Sequence, residues 1–126
     1  MFIPQPNDER TPMDFETLRS YLLGKPEAIE DFPFDTTTLV LKVGGKMFAL
    51  LGIDAEPLRI NLKCDPLKAE LLRERYAAVL PGYHMNKRHW NTVVLDGSLS
   101  DAEIRAMIDE SYALVVRGLP KARRPV

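Results

Sequence analysis

One cysteine, Cys64, stands in 126 residues, so an intrachain disulfide and the small disulfide-stapled class are excluded. Histidine is nearly as scarce: His84 and His89 are five positions apart, out of step for one helical face and far in sequence from Cys64. No metal-ligand spacing is met, and no metal or other cofactor is expected. No apolar run approaches the roughly 20 residues that a membrane-spanning helix needs. Neither sign of charge dominates, with 17 Lys and Arg against 18 Asp and Glu and a formal net charge of -1. That balance excludes an overtly basic nucleic-acid coat and an acidic disordered tail. There is no Walker loop, dinucleotide glycine fingerprint or nucleophile elbow, so the reading leans away from an enzyme. Residues 1–12 carry Pro, Asp, Glu and Arg rather than the apolar core of a secretory signal, and read as a disordered lead of a cytoplasmic protein.

What is present suits one domain. Residues 45% hydrophobic over this length bury a real core without cross-links. A helix is predicted over 14–23, with Asp14 as N-cap, Phe15, Leu18 and Leu22 on one stripe, Gly24 as a left-handed stop and Pro26 behind it. The segment 30–35 reads as a loop whose Phe32 and Phe34 tuck against the core. The period then becomes two. Leu39, Leu41 and Val43 alternate with Thr38, Val40 and Lys42, Gly44-Gly45 signals a hairpin, and Lys46 to Ile53 returns. After a turn at 54–57, Leu58, Ile60 and Leu62 alternate with Arg59, Asn61 and Lys63.

Asp65-Pro66 opens a second helix with Leu67, Leu71, Leu72, Tyr76 and Val79 on its apolar face, stopped by Pro81-Gly82. Residues 83–89 read as a loop or irregular strand, and Trp90 to Leu95 as a strand. Ser100-Asp101-Ala102-Glu103 fits a capping box, with Ile104, Met107, Ile108, Ser111 and Val115 as the inward stripe of a last helix ending at Gly118. Residues 121–126 form a basic tail after a domain at 13–120. The order gives an α+β class: a two-layer single domain, an antiparallel sheet with helices mainly on one face.

Parity places Thr38, Lys42, Arg59, Asn61 and Lys63 on the face away from the helices. The register decides whether Trp90 joins them. Acids crowd residues 1–35, with a balance of -5, whereas residues 36–100 balance at +3, so a near-neutral chain carries a local positive face. The segment 83–92 holds Lys87, Arg88, His89 and Trp90 with no acid. Lys and Arg there neutralise phosphates if the ligand is a nucleic acid, and Trp stacks on a base. The bland alternative is an indole anchored in the core among solvated charges. Lys46 follows the hairpin and reaches an anion or only protects an edge. Cys64 reads as a buried small hydrophobe rather than a reactive thiol.

The runs Arg59-Ile60-Asn61-Leu62-Lys63-Cys64-Asp65-Pro66 and Pro81-Gly82-Tyr83-His84-Met85-Asn86-Lys87-Arg88-His89-Trp90-Asn91-Thr92-Val93 resemble the MmcQ/YjbR family of small bacterial proteins. Glu30-Asp31-Phe32-Pro33-Phe34 and Val43-Gly44-Gly45-Lys46-Met47-Phe48-Ala49 support the likeness, which extends over residues 13–120. It implies an α-β-β-β-α-β-β-α antiparallel fold similar to secretion chaperones and frataxin-like proteins. Members are described as DNA-binding by inference from fold and surface. The expectation is a non-enzymatic binding module for DNA. Arg59, Lys63, Lys87, Arg88 and Lys46 would meet phosphate, Asn61 and His89 would make polar contacts, and Trp90 would stack. The alternative is a protein-interaction module that holds a peptide by the sheet face or edge.

Overall fold

Alternation along two segments requires a sheet with one dry face, and the computed structural model builds it from six strands; residues 13–82 and 85–125 are described. The elements are α1 (Phe15–Leu23), β1 (Ile29–Asp31), β2 (Thr38–Val43), β3 (Lys46–Gly52), β4 (Arg59–Lys63), α2 (Pro66–Arg75), β5 (Val79–Pro81), β6 (Trp90–Val94) and α3 (Asp101–Arg117), followed by a 3-10 turn at Lys121–Arg123. The strands are ordered β1-β2-β3-β4-β6-β5 and every pairing is antiparallel. Across the sheet, α3 packs on β2, β3 and β4, and α2 on β5 and β6. The result is one α+β domain of two layers.

Register explains the core. Leu39 lies opposite Leu51, Leu51 opposite Ile60, and Ile60 opposite Val93, all on the helix side and all nearly inaccessible. Leu18 and Leu22 of α1 and Ile104, Ile108 and Val115 of α3 close over them. Gly44 and Gly45 form the predicted hairpin turn with φ of 58° and 82°. One β-bulge interrupts the parity: Leu41 faces Ala49 but Lys42 faces Met47, so Phe48 has no strand partner. Its ring joins the core and meets Tyr112 of α3 edge-on at 5.3 Å.

Several expectations need correction. The segment 30–35 is not all loop, because Ile29–Asp31 pairs with β2 and covers its edge. Phe32 and Phe34 do not tuck into the core; Phe34 is 63% exposed. The second helix stops at Arg75 rather than reaching Val79, since Tyr76 is already extended and Val79–Pro81 is bonded to β6. Its apolar face is also not the expected one. Ala69 is buried and Leu72 half-buried, while Leu67 and Leu71 face water. Gly24 ends α1 with φ of -72°, not left-handed, because its N–H still reaches the carbonyls of Ser20 and Tyr21. The capping box is half realised. The amide of Glu103 donates to Ser100 Oγ at 3.1 Å, but the Glu103 carboxylate accepts from the Ser100 hydroxyl rather than from its backbone. Asp14 and Asp65 cap α1 and α2 as expected, accepting from the amides of Thr17 and Lys68. The lead at 1–12 lies outside the described residues. In the tail, Arg124 donates to the carbonyls of Leu119 and Arg117, and Leu119 packs beneath the Gly44 turn. Among the described residues no helix is long and apolar enough to cross a membrane.

Candidate nucleic-acid interface

The open face of the sheet is set by β4 and β6. Arg59 lies opposite Val94, Asn61 opposite Thr92 and Lys63 opposite Trp90, alternating with the core pairs Ile60–Val93 and Leu62–Asn91. Trp90 therefore belongs to the outer face, which answers the register question, and it is half-buried there. On β2 and β3 the same face carries Val40 and Leu50, both buried despite pointing away from the helices. Lys42 pairs with Asp31 of β1 at 3.2 Å and is neutralised.

Two connections rise over this face. The first joins β1 to β2 and carries Phe34. It is pinned by Asp35, whose carboxylate accepts from the amides of Thr37 at 2.9 Å and Thr38 at 2.7 Å. These backbone hydrogen bonds, Thr37 first, hold the Asp35 pKa below the usual carboxylate value. The second joins β5 to β6. Its start is fixed where Gly82 donates to the Trp90 carbonyl at 2.8 Å, and its end by Asn86, which accepts the amides of His89 and Trp90 on its carbonyl and of Arg88 on Oδ1. Arg73 of α2 reaches across to the Lys87 carbonyl at 3.2 Å.

Three depressions follow one another, two on the outer face and a third beside α2. A groove of about 520 Å³ has Phe34, Met47, Leu50, Arg59, Asn61 and Met85 in its walls. A shallower hollow of about 300 Å³ lies among Arg59, Thr92, Leu80, Pro81 and Lys87. A third of about 470 Å³ is bounded by Lys87, Arg88, Arg73, Glu70, Leu67 and Pro66. Arg59 and Thr92 belong to the first two and Lys87 to the last two, so the hollows form one track that starts on the outer face and passes Lys87 to end against α2.

The structure thus brings Arg59, Asn61 and Lys87 to linked hollows of the outer face, and places Arg88 with Lys87 in the hollow beside α2. Lys63 and Trp90 share its face but stand about 13 Å along β4 from Arg59, and neither lines the three hollows. His89 serves through its backbone, its carbonyl accepting the Cys64 amide at 2.7 Å. Lys46 lies opposite Val43, a core residue, which puts it on the helix side of the sheet and away from the others. None of Lys46, Arg59, Lys63, Lys87 and Arg88 makes an ion pair among the described residues. Phe34, Met47, Leu50 and Met85 escaped the sequence reading. Parity along β3 was the available signal for Met47 and Leu50, and the bulge at Phe48 broke it. Among the described residues no group of three His, Cys, Asp or Glu side chains is placed to hold a metal.

An antiparallel two-layer α+β domain with a hollowed, cation-bearing outer face is the class that fold and site define. The family model for YjbR matches residues 23–114, and the chain belongs to that family. It is 38% identical over 112 residues to YjbR of Escherichia coli K12, covering 89% of this chain and 95% of that one. YbdF of Escherichia coli O157:H7 is 41% identical over 106 residues, 84% of this chain and 87% of its own. The crystal structure of Deinococcus radiodurans DR2400, a DUF419 domain, superimposes with a TM-score of 0.84 at 43% identity, over 90% of this chain and 88% of that one. A Pseudomonas syringae crystal structure gives 0.70 at 31% identity over 81% and 98%. This kinship establishes family and fold and assigns no activity.

Proposed function

We propose that the protein is a non-enzymatic binding module of the cytoplasm that holds nucleic acid along the track from the outer face past Lys87 to α2. The observation that supports this is the run of unpaired cations: Arg59, Lys87 and Arg88 occupy successive hollows, with no acid bonded to any of them among the described residues. Phosphates attract such groups by charge and release counterions on binding, which gives affinity without base readout. Arg59 supplies a planar fork suited to a phosphate, and Lys87 a point charge on a flexible stem.

The overall charge of -1 limits nonspecific attraction, so affinity rests on these few contacts and falls steeply with salt. Titration of labelled DNA at rising salt tests the reading; binding that is absent, or indifferent to salt, refutes it. A second reading, a peptide-binding module, is favoured by one feature. Leu67 and Leu71 lie one helical turn apart on α2 and face water, with Leu67 68% exposed. A stoichiometric polypeptide copurifying with the protein, in place of nuclease-sensitive material, would support it.

A further inference from the structure

We infer that the groove walled by Phe34, Met47, Leu50 and Met85 receives one unstacked base, so that the preferred ligand is single-stranded. The inference rests on the nucleic-acid reading and narrows it. A duplex keeps its bases paired and stacked and offers a concave apolar site nothing to fill it; a single strand can turn a base out of its stack. The groove, at about 520 Å³, falls in the range of sites that hold small ligands. It lies at one end of the track, and Arg59 belongs both to its wall and to the next hollow. A base in the groove therefore leaves its phosphate beside Arg59, with the next one running toward Lys87.

The walls match the flat faces of a base. The Phe34 ring is largely exposed, and two thioethers, Met47 and Met85, adapt their shape to what they contact. Leu50 supplies an apolar floor. Among the described residues the polar groups of the wall are Asp35, Thr38, Arg59, Asn61 and Thr92, and several are already engaged. Asn61 Oδ1 accepts from Thr92 Oγ1 at 2.6 Å, which leaves the Asn61 amide nitrogen as a donor toward a base edge. The acid in the wall, Asp35, is occupied by Thr37 and Thr38. The Asn61 amide and the Arg59 cation thus face the ligand, in keeping with a nucleotide's acceptors and anionic phosphate, while the Asp35 charge is turned to the backbone amides of its own loop.

The test compares one short oligonucleotide as a single strand and as a duplex, by fluorescence anisotropy at low salt. Gly52 lies in the groove wall directly opposite Arg59 of β4, and a Cβ there meets only the Ala55 Cβ, at 3.7 Å, so Gly52→Leu fills the groove beside Arg59 while leaving every charge in place. The wild type is expected to prefer the single strand. Gly52→Leu is expected to lower single-strand affinity about tenfold, the worth of one stacked base, while leaving duplex affinity and the thermal midpoint unchanged. Met85→Ala, in the β5–β6 connection, gives a second route should Gly52→Leu misfold, and the same selective loss is expected. Preference for the duplex, or unchanged single-strand affinity in a folded groove variant, overturns the inference while leaving the track reading in place. Failure of the wild type to bind either form refutes both.

Discussion

The hydroxyl of Ser111, midway along α3, donates to the carbonyl of Phe48 at 2.6 Å. The same oxygen accepts the Lys63 amide at 2.8 Å. Phe48 is the bulged residue of β3, and Lys63 ends β4. One small side chain thereby satisfies two backbone groups where regular pairing fails, and it ties the helix layer to the sheet. Leaving buried polar groups unpaired costs about 1–3 kcal/mol. Ser111→Ala is expected to lower stability by that amount, read as a lower urea midpoint with unchanged m-value. An unchanged midpoint would show that the bulge carbonyl finds another partner.

How much of this was legible follows from how local each signal is. The alternation of Leu39, Leu41 and Val43 needs no partner to be seen, and their burial follows it. The box from Ser100 to Glu103 announces α3, and of its expected inward stripe Ile104, Ile108, Ser111 and Val115 are buried and Met107 is half-buried. By contrast β1 and β5 have three residues each, too few to show a period, and exist because β2 and β6 offer them an edge. Val79 fits a helical stripe as well as a strand, and only the pairing with Val93 decides. The cations of β4 could be assigned a face from parity. The groove could not, because Phe34, Met47 and Met85 lie far apart in sequence and meet through two connections and a bulge.

Gly82 is a second place where a single atom is decisive. A Cβ there would lie 2.7 Å from the Trp90 carbonyl oxygen and 2.8 Å from the Trp90 Cβ, too close for either to remain where it is. The hydrogen bond from Gly82 to the Trp90 carbonyl depends on this approach. Gly82→Ala is expected to destabilise the fold by about 1–3 kcal/mol, the usual cost of overpacking. It should also raise hydrogen exchange at the β5–β6 edge more than in β2 or β3. An equal rise in β2 and β3 would contradict the local origin of the strain.

Cys64 gives a pH dependence with a definite sign. Burial first, and then the nearby Glu110 carboxylate, push its thiol up to about 11. The folded state therefore favours the neutral thiol. Its contribution is complete below the unfolded value of about 8.5 and is lost as pH rises through about 11. The informative quantity is a difference between two proteins that share every other titrating group. The stability advantage of wild type over Cys64→Ala is expected to shrink as pH rises across that window, measured by urea unfolding at each pH. A constant difference would refute the displaced thiol.

The cations of the outer face yield the sharpest quantitative expectation. For a single strand, each phosphate contact contributes about 0.7 to the slope of log affinity against log salt. Arg59→Gln and Lys87→Gln are each expected to reduce the slope by about that much, because their charges lie unpaired on the track. Lys46→Gln serves as the control. Register puts Lys46 on the other side of the sheet, opposite Val43, so removing its charge should leave the slope unchanged. Lys63→Gln separates two geometries. If the strand continues past Lys87 toward Arg88, Lys63 lies off its course and the slope holds. If it bends along β4 toward Trp90, the slope falls and the Trp90 fluorescence is quenched on binding. An equal loss from Lys46→Gln and Arg59→Gln would mean that the protein attracts DNA by diffuse charge alone, and the track would have no part in it.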